Sequence, residues 1–213
     1  DVIVTNPPFG GIEEDGIENN FPSEFRTRET ALLFLILVVE LLKDGGRAAI
    51  VLPDGTLFGE GIETRVKQLL VEECDLHTII RLPKGVFNPY TSINTNVLFL
   101  TKGTPTKEIW YYEHLYPKGY KSYSKKKPMK LEEFEPEREW WKNRKENEQA
   151  WRVPIEDIIE SNYNLDIKNP NIIEKTLRNP KDILTEYEKT NKEKEKTEQK
   201  IISILRKALI NET

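Results

Sequence analysis

The sequence predicts an α/β fold: a mixed sheet whose last strand is antiparallel, followed by a mostly helical C-terminal tail. Three observations predict it. Short aliphatic or β-branched runs alternate with longer apolar segments over residues 1–101. The last two of these runs, 76–82 and 95–101, have no helical segment between them, so they pair antiparallel. Beyond Lys102 the chain turns polar, and from Pro180 a single helical pattern runs to the end.

Asp1–Thr5 reads as a short buried strand through Val2, Ile3 and Val4, and Asn6–Phe9 as a tight turn that Gly10-Gly11 relaxes. Ile12–Phe25 is acidic and glycine-containing, hence a loop. Thr27–Lys43 reads as a helix, apolar on nearly all sides after Thr30 and therefore buried, with Gly45-Gly46 ending it. Arg47–Leu52 is a continuous apolar strand, "PDGTLFGEG" a loop and Ile62–Glu73 an amphipathic helix. Strand, helix, strand, helix, strand implies parallel pairing with helices on both faces. "PKGVFNPYTSIN" joins the last two strands, and "EIWYYEHL" reads as an edge strand. "YPKGYKSYSKKKPMK" then carries six lysines among three tyrosines and no acid. Glu132–Asn147 is highly charged around Trp140 and Trp141, and "WRVPIEDIIESNYNLDIKNPN" reads as a semi-ordered connector. In the tail, Ile183, Tyr187, Thr190, Lys194, Thr197, Ile201, Ile204 and Ala208 fall at alternating four-three spacing, with a polar middle.

Composition bounds the function. The 213 residues are 37% hydrophobic and 32% charged with net charge −4, so any basic surface for nucleic acid is local. The single cysteine, Cys74, excludes an internal disulfide and any multi-cysteine zinc site. His77 and His114 lie 37 positions apart, which is no metal-ligand spacing. This fits a reducing, cytoplasmic setting. The longest apolar run, Ala31–Val39, is too short for a bilayer, which takes about 20 residues, and no signal-peptide pattern is present. Residue 1 already lies in a strand-like run with no initiator Met, so the chain reads as cut from something longer.

The chemistry sits in "TNPPFGG". Two consecutive prolines fix φ and leave rigid carbonyl acceptors with no competing amide hydrogens. Asn6 adds a side-chain acceptor and an NH2 donor, and Phe9 adds a flat apolar face. Two fixed acceptors beside a stacking ring suit a planar exocyclic amino group. They draw its two N–H bonds and free the nitrogen lone pair for attack on an electrophilic methyl. The position after a buried strand is where open α/β sheets bind ligands. Asn-Pro and Pro-Pro are also ordinary turn starters, so the motif depends on its context.

That context resembles a family. "DVIVTNPPFG" is similar to the catalytic motif of amino-group DNA methyltransferases. With "TRETALLFL", "GGRAAIVLPDGTLFG", "IIRLPKGVFNPYTSINTNVLFLTKG" and "SNYNLDIKNP", the chain resembles the N6-adenine methylase subunit of type I restriction–modification systems. The similarity covers most of residues 1–103 and reappears at about 151–170. It implies the C-terminal part of a Rossmann-like methyltransferase sheet, with S-adenosylmethionine as donor and a flipped adenine in DNA as acceptor. On this resemblance Asn6 and the Pro7 carbonyl bind the N6 amino group, Pro8 fixes the turn and Phe9 stacks on the adenine. No strong general base is required, because the proton leaves after the nitrogen becomes cationic. It also implies DNA, a specificity subunit and a restriction subunit as partners, and no membrane.

The family's glycine-rich donor turn and its acid have no counterpart before Asn6, and Gly45-Gly46 lies at a helix end before a strand. The chain is therefore expected to be inactive alone, with its first strand a sticky edge. The expected division is a partial catalytic domain at 1–115, a polar connector at 116–179 and a subunit-contact helix at 180–213. Lys118, Lys121, Lys125, Lys126 and Lys127 are candidate phosphate contacts, or else a solvated loop balancing the acidic 132–139 segment. "PKGVFNPYT" either shapes the target-base side or is a plain crossover loop. The tryptophans Trp140, Trp141 and Trp151 read as small-core or interface anchors rather than base stackers, Cys74 as an inert thiol and His77 as structural. The tail helix is either held by charge pairs such as Glu188 with Lys192, or its apolar end (Ile201, Ile202, Ile204, Leu205, Leu209) meets a partner. Two other functions share these residues: methylation of a protein glutamine or an RNA adenine, and a non-catalytic partner-binding fragment.

Overall fold

The computed structural model describes residues 1–171 and 180–210, with side chains over 184–203 in the second span. The chain divides into one compact unit, Asp1–Asn171, and a second whose described residues form one helix, α6 (Pro180–Ile210).

The first unit is a six-stranded mixed sheet in the order β1-β2-β4-β3-β5-β6. The strands are β1 (Val2–Thr5), β2 (Arg47–Pro53), β3 (Cys74–Arg81), β4 (Thr95–Lys102), β5 (Glu108–Glu113) and β6 (Ala150–Pro154). β1 and β2 pair parallel, as do β3 and β5, while β4 runs antiparallel to both β2 and β3 and β6 is antiparallel to β5. The antiparallel β3–β4 pair matches the sequence expectation. It arises because a connection with no helix returns the chain to a neighbouring, opposed strand.

Helices α1 (Thr30–Leu41) and α3 (Ile62–Glu73) share one face with Ile50, Leu52, Leu98 and Leu100 in a single aliphatic core. The expected helix at 27–43 begins only at Thr30. The preceding residues are held extended, by an Ile12–Glu29 bridge and a Glu13–Arg28 backbone bond of 2.8 Å. At its other end Gly45 takes φ +76°, the left-handed turn that a glycine accepts without strain. The opposite face is covered by α4 (Glu135–Lys142), where Trp140 packs with Ile80, Tyr112 and Ala150, and Trp141 joins Phe99 and Val97. Alternation along β4 divides its side chains between the faces: Leu98 and Leu100 to one, Val97 and Phe99 to the other.

Four expectations are corrected. β1 is not buried: among the described residues it pairs only with β2, and Val2 and Val4 are 62% and 77% exposed, on the Phe99 side of the sheet. "PDGTLFGEG" contains a short helix, α2 (Asp54–Phe58), rather than only loop. β5 is not an edge strand but lies between β3 and β6. The segment 151–171 is no loose connector. It completes the edge strand β6, whose Pro154 ends the strand where no ladder donor is needed, and helix α5 (Ile155–Glu160) buries Ile158. The expected tryptophan anchors are buried or packed: Trp140 is 7% and Trp151 3% exposed.

Candidate active site

Asn6 adjoins the last residue of β1, so the Asn-Pro-Pro-Phe turn leaves the sheet at the carboxyl ends of the parallel strands β1 and β2. Pro7 is buried, while Asn6 and Pro8 are exposed. Neither the Asn6 side chain nor the Pro7 carbonyl takes a hydrogen bond from any described residue. Both acceptors are thus uncommitted, on a backbone whose φ two pyrrolidine rings restrict.

Close packing accounts for the second glycine beyond the turn, Gly11. The Thr30 N–H donates to the Gly11 carbonyl at 3.0 Å, and a Cβ on Gly11 would lie 2.6 Å from Thr30 Oγ1. The Thr30 hydroxyl donates in turn to Glu13 at 2.7 Å. The absence of a side chain at Gly11 therefore lets the turn seat on the first turn of α1.

Phe9 is half-buried, and its ring meets Phe87 edge to face, with centroids 5.2 Å apart and planes at 77°. Phe87 belongs to "PKGVFNPYT", so that loop does reach the motif. At the same end of the sheet a cavity of about 290 Å³ is lined by Asp54, Lys84, Asn94, Asn96, His114 and Tyr116, among others. Asp54 accepts from Asn96 Nδ2 at 2.7 Å and Asn94 Nδ2 at 3.3 Å, and its own N–H donates to the Asn94 carbonyl at 3.0 Å. Asn96 is 1% exposed, and its Oδ1 has no partner. Sequence reasoning missed this group. Its signal was an acid directly after β2 and two amides at the start of β4, both at the ligand-binding end of the strands.

Lys118, Lys121, Lys125, Lys126 and Lys127 are all exposed, and no ion pair among the described residues involves them. Lys125 and Lys126 form the tip of a turn closed by paired Ser124–Lys127 backbone bonds of 3.0 and 2.9 Å, and Lys127 lies 5.3 Å over the Tyr120 ring. Beneath them Tyr123 is 1% exposed, and its hydroxyl donates to the Glu133 carboxylate.

Some other titratable groups are buried or partly buried. Burial pushes the Cys74 thiol up to about 11, consistent with an inert side chain. Burial and then the Arg144 guanidinium hold the His77 imidazole down at about 4. His114 and Glu137 form a buried pair that ties the end of β5 to α4. No cluster able to hold a metal ion occurs among the described residues.

A nucleoside donor calls for a glycine-rich strand-to-helix turn and then an acid. Gly45-Gly46 does not fit that role. It precedes β2, at the opposite end of the strand from Asn6, and a Cβ on Gly46 would lie 2.7 Å from the Lys43 carbonyl. Those glycines serve the helix end and are no donor turn.

The family model of N-6 DNA methylases matches residues 1–178. The chain belongs to the N-6 DNA methylase family. It is 65% identical over 195 residues to the type I restriction enzyme EcoEI methylase subunit of Escherichia coli, covering 88% of this chain and 40% of that protein. A modification subunit from Vibrio vulnificus YJ016 superposes with TM-score 0.77 at 50% identity, over 80% of this chain and 38% of the other. A chain from a structure of type I restriction–modification complex assembly matches with TM-score 0.76 at 39% identity, over 100% and 46%. The chain thus spans less than half the length of these relatives. Their methyltransferase fold, with its mixed sheet and flanking helices, is the fold found here.

On α6, Leu184, Tyr187, Ile201 and Ile202 are exposed, and Lys194 pairs with Glu198 at 3.7 Å. The side chains of Ile183, Ile204, Leu205, Ala208 and Leu209 lie outside the described residues. No helix among the described residues is long and apolar enough to cross a membrane.

Proposed function

We propose that this chain carries the acceptor site of an N6-adenine DNA methyltransferase, the modification subunit of a type I restriction–modification system. One observation carries the reading. Two uncommitted acceptors, on Asn6 and Pro7, stand at the carboxyl end of β1 beside the Phe9 and Phe87 rings, in a chain of the N-6 DNA methylase family.

A flipped adenine stacks on Phe9, a contact worth about 1–3 kcal/mol per base. Flipping is required because N6 cannot be reached inside the duplex stack. Asn6 Oδ1 and the Pro7 carbonyl accept the two N6 hydrogens, which turns the nitrogen lone pair out of the purine plane. Because the prolines restrict the backbone that carries both acceptors before the base arrives, less reorganisation is spent on the reacting geometry. Pro8 holds the turn. The donor, S-adenosylmethionine, supplies an electrophilic methyl group when bound. Lys118, Lys121, Lys125, Lys126 and Lys127 contact DNA phosphates, each releasing about one counterion. The catalytic domain over 1–115 is continued by residues 116–171 of the same compact unit, and α6 offers its exposed Leu184, Tyr187, Ile201 and Ile202 to a specificity subunit. A restriction subunit completes the cytoplasmic assembly.

The test uses the complete encoded protein with its specificity subunit, tracing labelled-methyl transfer to unmodified DNA. Methyl at adenine N6, lost in Asn6→Ala with DNA binding retained, is the expected result. Transfer indifferent to Asn6, or directed to a protein glutamine or an RNA adenine, overturns the reading.

A further inference from the structure

The loop at 83–94 carries Phe87 but has few attachments of its own. Its bonds Asn88 N–H to Gly85 (3.1 Å) and Tyr90 N–H to Phe87 (2.9 Å) are internal turns. At its far end Asn94 is held by Asp54. Between residues 83 and 93, the only hydrogen bonds to the rest of the described chain go to one place, the lysine loop. Tyr116 Oη donates to the Lys84 carbonyl, and Asn88 Nδ2 donates to the Tyr123 carbonyl at 3.2 Å.

Two further features make this junction a specific one. Gly85 has φ +81°, and a Cβ there would lie 2.6 Å from Asn88 Nδ2, so the missing side chain lets the Asn88 amide cross to Tyr123. Tyr123 is in turn pinned by its hydroxyl to Glu133, and its ring lies 5.3 Å from that of Tyr116. The lysine loop therefore has two sides: exposed ammonium groups outward, and inward a buried tyrosine whose backbone holds the neighbouring loop. A merely solvated basic loop needs only the first.

We propose that Tyr116 and Asn88 are positioning residues that fasten the 83–94 loop to the lysine loop. They thereby hold Phe87 against Phe9, so that phosphate contact and stacking of the flipped base are mechanically joined. This rests on the proposed adenine-methylating function. With the two bonds removed, the loop retains its internal turns and Phe87 loses its fixed place. The phosphate contacts remain, because the lysines do not depend on those bonds. The loss then falls on the chemical step and not on DNA affinity.

The experiment measures single-turnover methyl transfer and salt-dependent DNA affinity in the complete encoded protein assembled with its specificity subunit. The variants are Tyr116→Phe, which keeps the ring, Asn88→Ala and the double variant, each also made in a Phe87→Ala background. For the double variant the expected result is a transfer rate down about tenfold, the order of one lost base–aromatic stack. The dissociation constant and its salt slope stay unchanged, and no further loss appears once Phe87 is alanine. A wild-type rate, a loss confined to affinity, or losses that multiply with that of Phe87→Ala overturn the proposal. Asn6→Ala in the same assay separates the two levels. If it transfers normally, the underlying function is wrong. If it is dead while the fastening variants are normal, only this inference falls.

Discussion

The Asn6–Phe9 turn and the lysine loop stand at the same end of the sheet, and they are built on opposite principles. The turn is made rigid by covalent restriction and close packing: two prolines, then Gly11 against Thr30. The groups proposed to act there are neutral and few, and they ride on a restricted backbone. The lysine loop is held by side-chain hydrogen bonds and packed tyrosines, and its working groups are long, charged and exposed. The difference teaches what each of the two proposed tasks would require. Drawing an amino group out of plane depends on acceptor geometry to a fraction of an ångström, which preorganisation supplies. Phosphate attraction is long-ranged and tolerant, so flexible ammonium groups suffice.

The largest test of this contrast is at Asn6. Asn6→Ala lowers the methyl-transfer rate by about 10²–10³ with DNA affinity retained, the cost of one preorganised polar contact. Asn6→Asp keeps an acceptor in place and retains more transfer than alanine; equal rates for the two would detach the contrast from acceptor geometry. Next is the buried pair that ties the end of β5 to α4. His114→Ala leaves Glu137, 4% exposed, buried without its partner, and thermal unfolding should read a loss of about 3 kcal/mol.

Acid tests what the two regions share. His77 sits in the sheet with its folded value held at about 4, below the 6.5 of the unfolded chain. The unfolded state therefore takes up the proton first. Stability is full above 6.5 and falls as pH drops towards 4, by on the order of 2 kcal/mol once the partial exposure of the ring is allowed for. His77→Gln should flatten that slope in urea melts across the window, and both regions should lose order together. Gly11→Ala pushes a methyl onto Thr30 and costs about 1–3 kcal/mol, with transfer impaired more than DNA binding. The smallest effect belongs to single lysines. Lys126→Gln leaves stability unchanged and lowers the salt slope of DNA binding by about 0.9, whereas a steeper loss would give that lysine a fixed role like those of the turn.

Legibility tracked locality. β2, β3, β4 and α3 could be read from periodic apolar residues almost to their ends, because each buries a pattern repeated within a few residues. β6 was missed because five residues containing Arg152 and Pro154 carry no such pattern; its pairing with Ile109 and Tyr111 makes it a strand. Val4 was misjudged because an apolar side chain does not state which part of a sheet is covered. At the site, Asn6, Pro7, Pro8 and Phe9 were visible as a compact motif after a strand. Asp54, Asn94 and Asn96 were not, since an acid and two amides about forty positions apart acquire a common purpose only across β2 and β4.

By itself the sequence determined the chemistry of the opening turn, since proline's fixed φ and the bonding capacity of an amide are properties of the residues wherever they lie. It also determined the α/β class, through the period of its apolar residues. Only the tertiary structure decided the strand order, the exposure of β1 and the meeting of Phe9 with Phe87 across 78 positions. The physical reason is that chain neighbours set local conformation, whereas pairing and stacking between distant segments depend on which arrangement buries the whole apolar set at once.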